Sequence, residues 1–238
     1  MARDLRFEGF CRAPSAPSAR PACVSVLYSS TLSGVMSVAE QAHKLTETEY
    51  LALERAAEFR SEFFEGEMFS MASSNRWHSL IVTNLLVEFG NLLRERPGLV
   101  FNGDLRMNVE ATGLFTYPDL SVVCGELQFT NDSDDTIVNP TVLAEVLSES
   151  TEAYDRGKKF EHYQQIPTLM EYLLVSQREP RIEQFIRQQG GDWLLRQAVG
   201  LDATLTIPSL EIAISLAEIF ANVKFVPTPI RPQTPRPT

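Results

Sequence analysis

Apolar positions recur at helical spacing in several stretches of the chain and cluster or alternate in the segments between them. The run "TETEYLALERA" places glutamates and then apolar residues at helical spacing behind Thr46, a residue suited to cap a helix N-terminus. Ile81, Leu85, Phe89 and Leu92, flanked by Val82, Leu86 and Leu93, predict a long amphipathic helix from about 75 to 96 that stops before Pro97-Gly98. Between these two, "RSEFFEGEMFSM" is aromatic-rich and bends at Glu65-Gly66, the pattern of a hairpin. Strands are expected around Leu99 to Phe101, Leu105 to Val109, Asp119 to Cys124 and Thr141 to Leu147, and then a helix from about Tyr154 to Gln165. Strand character returns in "EYLLVSQ", "RIEQFIRQ" and "WLLRQAV", and "SLAEIFANV" closes with a short helix. Strands grouped in mid-chain with helices around them predict an α/β fold: a mixed central β-sheet flanked by α-helices.

The two ends do not share this patterning. Residues 1–35 are rich in Ala, Ser, Pro and Arg without a sustained period, and Asp4, Glu8 and the serines after Arg20 make a poor secretion signal. They read as a disordered tail or an over-extended reading frame, with the domain spanning 36–223. Residues 224–238 alternate Pro with polar residues and read as an extended Pro-rich tail.

Composition narrows the class. No apolar run of about 18 residues is present, so no membrane helix is expected. Cys11, Cys23 and Cys124 lack metal spacing and are odd in number, which favours a reducing, cytoplasmic setting over a disulfide framework. The net charge is −10; the ends contribute +2 and +3, leaving −15 on residues 36–223. Such a surface repels phosphate backbones at long range and argues against tight non-specific nucleic-acid binding.

Against this background two acids are out of place. Glu145 interrupts the apolar run "VLAEVL", and Asp119 opens "PDLSVV" directly after Pro118. Burying an unpaired carboxylate costs several kcal/mol. If the two strands are neighbours, the acids converge on one point, and two hard oxygen donors there suit Mg²⁺, which takes one or two carboxylates and keeps several waters. Alternatively, Glu145 pairs with an arginine such as Arg106 or points outward from an edge strand. The hydroxyls of Ser148, Ser150 and Thr151 lie nearby without a histidine tied to them, and "TNDSDD" lacks the glycine and final glutamate of a calcium loop and reads as a solvated loop.

The ordered combination "YPDLSVV", "LAEVLSEST" and "YDRGKKFEHYQQIPTLMEYLLVS", preceded by "SEFFEGEMFSM" and His78, resembles the Uma-two family of restriction-endonuclease-like proteins, a branch of the PD-(D/E)XK nuclease superfamily. The resemblance covers roughly Leu45 to Val223. It implies a restriction-endonuclease-like core and a site for Mg²⁺ or Mn²⁺, with Asp119 as the first acid, Glu145 as the second and the main-chain carbonyl of Val146 as a further ligand. It also implies DNA as substrate and, by analogy with nucleases that cut both strands, a homodimer. One position departs from the superfamily pattern: the lysine two residues after the second acid is replaced by Leu147. The resemblance to Uma-two sequences implies that this lysine has moved to the helix containing "YDRGKKF", and it points to Glu62 as an accessory acid. His78, which precedes Ile81, Val82 and Leu85 at helical spacing, reads either as accessory or as a hydrogen-bonded core histidine.

Helix geometry separates the two adjacent lysines. At about 100° per residue, with Asp155 at the origin, Ile166, Tyr163 and Phe160 centre an apolar arc near about 80°; Lys159 falls near about 40° and Lys158 near about −60°. Lys159 is therefore on the packed face, where an ammonium needs an anionic partner, and Asp155 one turn earlier could steady it. The alternative is that Lys159 reaches solvent past Ile166. The expectation is thus a Mg²⁺-dependent endonuclease acting on DNA through Asp119, Glu145 and Lys159; the competing expectation is a non-catalytic interaction scaffold with a nuclease-like fold.

Overall fold

The computed structural model describes residues 44–71, 74–130 and 134–225. The expected tail at 1–35 lies outside the described residues, as does 226–238. Phe225, inside the stretch expected to be a tail, packs edge-on against Phe220 with ring centroids 5.5 Å apart.

Helix α1 (Glu47–Ala56) starts where Thr46 and Glu49 form a capping box, Thr46 Oγ1 accepting from Glu49 N and the Glu49 carboxylate accepting from Thr46 N. The hairpin β1 (Ser61–Phe64) and β2 (Glu67–Ser70) turns through Glu65 (φ 51°) and Gly66 (φ 85°). Two successive positive φ values match the twist of a tight hairpin, and a Cβ at Gly66 would meet Lys44 Cβ at 2.6 Å. Helix α2 (Arg76–Leu93) is capped by Asn75, whose Oδ1 accepts from Trp77 N and His78 N.

The remaining strands are β3 (Leu99–Asn102), β4 (Arg106–Val109), β5 (Leu114–Thr116), β6 (Leu120–Val123), β7 (Thr136–Ile137) and β8 (Val142–Val146). They are followed by the short helices α3 (Glu152–Arg156) and α4 (Lys158–Tyr163), strands β9 (Glu171–Val175), β10 (Arg181–Arg187), β11 (Trp193–Val199), β12 (Thr204–Ile207) and β13 (Ile212–Ser215), and helix α5 (Leu216–Ile219). A six-stranded mixed sheet in the order β11-β10-β9-β8-β6-β3 forms the centre; β8 and β9 are parallel and the other pairs antiparallel. Strands β2-β1-β5-β4-β7 make a second sheet, and β12-β13 a third.

Each face of the central sheet carries a core. Val142, Ala144 and Val146 of β8 join Leu120 and Val122 of β6 in a cluster with Ile81, Leu85 and Phe89 of α2. The alternate residues Leu143 and Leu147 join Phe160 and Tyr163 of α4 and Met107 and Val109 of the second sheet. By the period-two alternation of a strand, Glu145 leaves the sheet on this second face. The α/β architecture with a mixed central sheet is as the patterning predicts.

Three local expectations are corrected, and some strands lie where none is expected. The helix expected at 154–165 is two helices, broken at Gly157 (φ −113°, ψ −99°). The mid-chain strands divide between two sheets, because β4 pairs with the three-residue β5 instead of entering the central sheet. Strand β5 is too short to show a period, whereas β12-β13 do alternate, with Leu205, Ile207, Ile212 and Ile214 buried; Pro208 and the 3-10 turn behind it interrupt the pattern. Arg106 pairs with Asp135, at 2.9 Å, and not with Glu145, so "TNDSDD" is more than a solvated loop at that residue; Asp132 lies outside the described residues.

Candidate active site

The register of β6 against β8 pairs Leu120 with Ala144 and Ser121 with Leu143. Carried one residue further, it sets Asp119 across from Glu145. Asp119 turns Oδ2 toward the next main-chain amide, accepting from Val146 N at 2.8 Å, and His78 Nε2 lies 3.1 Å from the same oxygen. His78 is in the first turn of α2, held there by the Asn75 cap, so the core-histidine and accessory readings describe one arrangement: a largely buried ring whose polar atom meets the Asp119 carboxylate.

Glu145 is 5% exposed on the interior strand β8. Its Oε1 accepts from Tyr163 OH at 2.8 Å and lies 2.9 Å from Lys159 Nζ. Lys159 is 4% exposed, and its ammonium also reaches Glu62 Oε1 at 3.0 Å and Asp155 Oδ1 at 3.7 Å. The four groups come from β8, β1, α3 and α4, so one ammonium ties the two large sheets and the helical pair together. Thr116 Oγ1 donates to Glu62 from β5, and Tyr172 OH donates to the Asp155 carbonyl. Lys158 faces the opposite way: its side chain is 73% exposed and pairs with Glu161 at 2.8 Å. The break at Gly157 does not alter this choice, because Lys159 and the apolar Phe160 and Tyr163 all belong to α4.

The electrostatics follow from one cation among several acids. Burial pushes the Glu145 carboxyl up to about 8; Lys159 pulls against this, and Asp155 and Asp119 add to it. Burial likewise raises Asp155, against Lys159 and a hydrogen bond from Thr151. Burial opposes the charge on Lys159, but Glu145, Glu62 and Asp155 outweigh it and hold the ammonium protonated well above the ordinary lysine range. The Tyr163 hydroxyl is kept neutral by burial and by the Glu145 carboxyl it binds. A single ammonium cannot neutralise all of these carboxyls, and the raised Glu145 and Asp155 take up protons in place of a further countercharge.

Asp119, Glu145, Val146 and Lys159 line one cavity of about 310 Å³, together with Glu62, His78 and Asp155. Every site residue expected from the sequence is therefore at this cavity. Two supporting donors are not apparent from the sequence, Tyr163 to Glu145 and Thr116 to Glu62. Tyr163 lies on the apolar arc and reads as packing, and Thr116 carries no signal beyond its place in a short strand.

Among the described residues, no three His, Cys, Asp or Glu side chains form a ready cation cage. Asp119 and Glu145 nevertheless fit Mg²⁺ or Mn²⁺. Their contacts fall on Oδ2 and Oε1, which leaves a second oxygen on each, and two carboxylates beside a main-chain carbonyl match the sparse protein ligation that Mg²⁺ takes.

The family model of Uma2, described as "Putative restriction endonuclease", matches residues 48–218. The chain belongs to the Uma2 family. Two uncharacterized Synechocystis proteins are similar to this Uma2 chain. One, sll1609, is 33% identical over 168 residues, covering 71% of this chain and 95% of its own length. The other, slr1290, is 34% identical over 182 residues, covering 76% and 94%. A crystal structure from Anabaena variabilis, described as "a putative nuclease belonging to DUF820", shares the fold with a TM-score of 0.59 and 21% identity, over 73% of this chain and 96% of that one.

Proposed function

We propose that this Uma2 chain hydrolyses phosphodiester bonds in DNA at the Asp119–Glu145–Lys159 cluster, with Mg²⁺ or Mn²⁺ held by Asp119, Glu145 and the Val146 carbonyl. The observation that carries this reading is the pair of acids at two adjacent interior strands, Glu145 on β8 and Asp119 directly before β6, opening onto a cavity lined by a buried lysine. When bound, the cation lowers the pKa of a coordinated water and offsets charge on the phosphate.

The protein groups divide the remaining work. His78 and the Val146 amide fix the Asp119 carboxylate by its Oδ2, and Tyr163 fixes Glu145 by its Oε1. Lys159, kept protonated by Glu62, Glu145 and Asp155, supplies a donor to orient the attacking water or to stabilise negative charge developing on the phosphate oxygens. Fixed donors at a site shielded from bulk water act more strongly than they would in solution and need no reorganisation during the reaction. The test is cleavage of plasmid and single-stranded DNA across a series of divalent metals.

A second reading, a non-catalytic scaffold, is favoured by one observation: Lys159 already pairs with Glu145, so the buried acid has a partner without any cation. Calorimetry with Mg²⁺ or Mn²⁺ separates the two, since the scaffold needs no metal affinity.

A further inference from the structure

Two cavities share Asp119, His78 and Tyr117 in their linings. Besides the 310 Å³ cavity at the acids, a second of about 480 Å³ is lined by the same three residues together with Phe59, Arg60 and Gly103. An exposed phenylalanine belongs to each: Phe69, 49% exposed, to the first, and Phe59, 81% exposed, to the second. Phe69 is the cross-strand neighbour of Glu62 in the β1–β2 hairpin, so both side chains leave the hairpin on one face, and Glu62 reaches Lys159 from there.

We propose that the two cavities form a single track for an unpaired DNA strand, whose phosphodiester lies at Asp119 while the bases on either side stack on Phe59 and Phe69. This rests on the phosphodiesterase reading above and names its substrate class. In a duplex, neighbouring base pairs cover the faces of each base, so an exposed aromatic ring gains contact area only from a base already out of the stack. Charge points the same way. The cations lining the track are engaged: Lys159 with Glu62 and Glu145, and Arg60 with Asp104 at 2.7 Å. With a net charge of −10, the chain attracts two phosphate backbones less readily than one, and stacking has to supply the binding. Arg60 also lies over the Tyr117 ring, 5.7 Å from its centroid, a second contact that engages this cation.

The test is fluorescence anisotropy with the full chain, a labelled single-stranded oligonucleotide of mixed sequence and the duplex formed from it, in Ca²⁺, which accepts looser oxygen sites than Mg²⁺. The single strand is expected to bind about tenfold tighter than the duplex, with a shallow dependence on salt. Phe59→Ala and Phe69→Ala should each weaken single-strand binding about fivefold or more, and Phe59→Trp and Phe69→Trp should retain it. Both side chains are exposed, so an unchanged unfolding midpoint certifies the fold of the variants. Equal affinity for duplex and single strand, or wild-type affinity in both alanine variants, would overturn the proposal. Single-strand binding that depends on both rings, without cleavage in any metal, would uphold the track and contradict the phosphodiesterase reading; cleavage with equal affinity for both DNA forms would do the reverse.

Discussion

Lys159 Nζ lies 2.9 Å from Glu145 Oε1, an ion pair between a helix and the interior strand it packs on. The pair explains how an apolar strand tolerates a carboxylate, and it makes both residues sensitive to anything that changes the charge of the other. Lys159→Ala is expected to abolish metal-dependent cleavage while metal binding is largely retained. It should also destabilise the fold by about 3–5 kcal/mol at high pH, where the acids lose their shared cation, and by less at low pH, where they take up protons instead. Lys158→Ala, on an exposed side chain, should be close to silent in both respects. Urea unfolding at two pH values and a cleavage assay check the pair of variants; the reverse pattern contradicts the assignment of Lys159.

Glu145 sets a pH dependence of known sign. Its folded carboxyl sits near 8, above the ordinary value of 4.5, so between these limits the folded state holds a proton that the unfolded state has lost. The contribution of this group is therefore fully present below the ordinary value and is lost as pH rises toward about 8, with a slope of at most about 1.4 kcal/mol per pH unit. Glu145→Gln should flatten that slope in metal-free protein. Unfolding midpoints of both proteins from mildly acidic to mildly alkaline pH measure it; parallel curves count against the raised carboxyl.

The same proton would compete with the proposed cation. Metal binding needs the ionised carboxylate, so affinity for Mg²⁺ or Mn²⁺ should climb with pH up to about 8 and each binding event should release a proton below that. Calorimetry in buffers of different ionisation enthalpy reads the release directly, and a pH-independent affinity would remove Glu145 from the ligand set.

His78 and Tyr163 hold the two acids from behind. His78→Ala should weaken metal affinity by about tenfold or more, as loss of groups supporting metal ligands does. Tyr163→Phe keeps the ring packing and removes the donor to Glu145, at a cost of about 1 kcal/mol in stability. Metal titration and chemical denaturation distinguish these outcomes; a Tyr163→Phe protein with unchanged stability would mean that the hydroxyl adds nothing.

Much of this arrangement is legible in the sequence for identifiable reasons. The elements with long apolar periods, α1, α2 and β8, appear close to where the patterning puts them, and Lys159 is separable from Lys158 because one turn of α4 carries Phe160 and Tyr163 on the same arc. The acids stand out because a carboxylate in an apolar strand is conspicuous. What escapes is long-range or brief: Thr116 in a three-residue strand, the transfer of β4 to a second sheet, and Arg106 choosing Asp135 over Glu145. Each depends on which segments meet in space, and neither period nor composition records that.

Asp119 and Glu145 together are proposed to be the centre of a metal-dependent phosphodiesterase. The direct measurement is the rate of cleavage of circular single-stranded and plasmid DNA in Mg²⁺ and in Mn²⁺ by the wild-type chain, Asp119→Asn and Glu145→Gln, with unfolding midpoints recorded alongside. Cleavage by the wild type that EDTA abolishes is expected, and no cleavage by either variant although both remain folded. Cleavage by either variant at the wild-type rate, or a wild type that cuts no DNA in either metal, would contradict it.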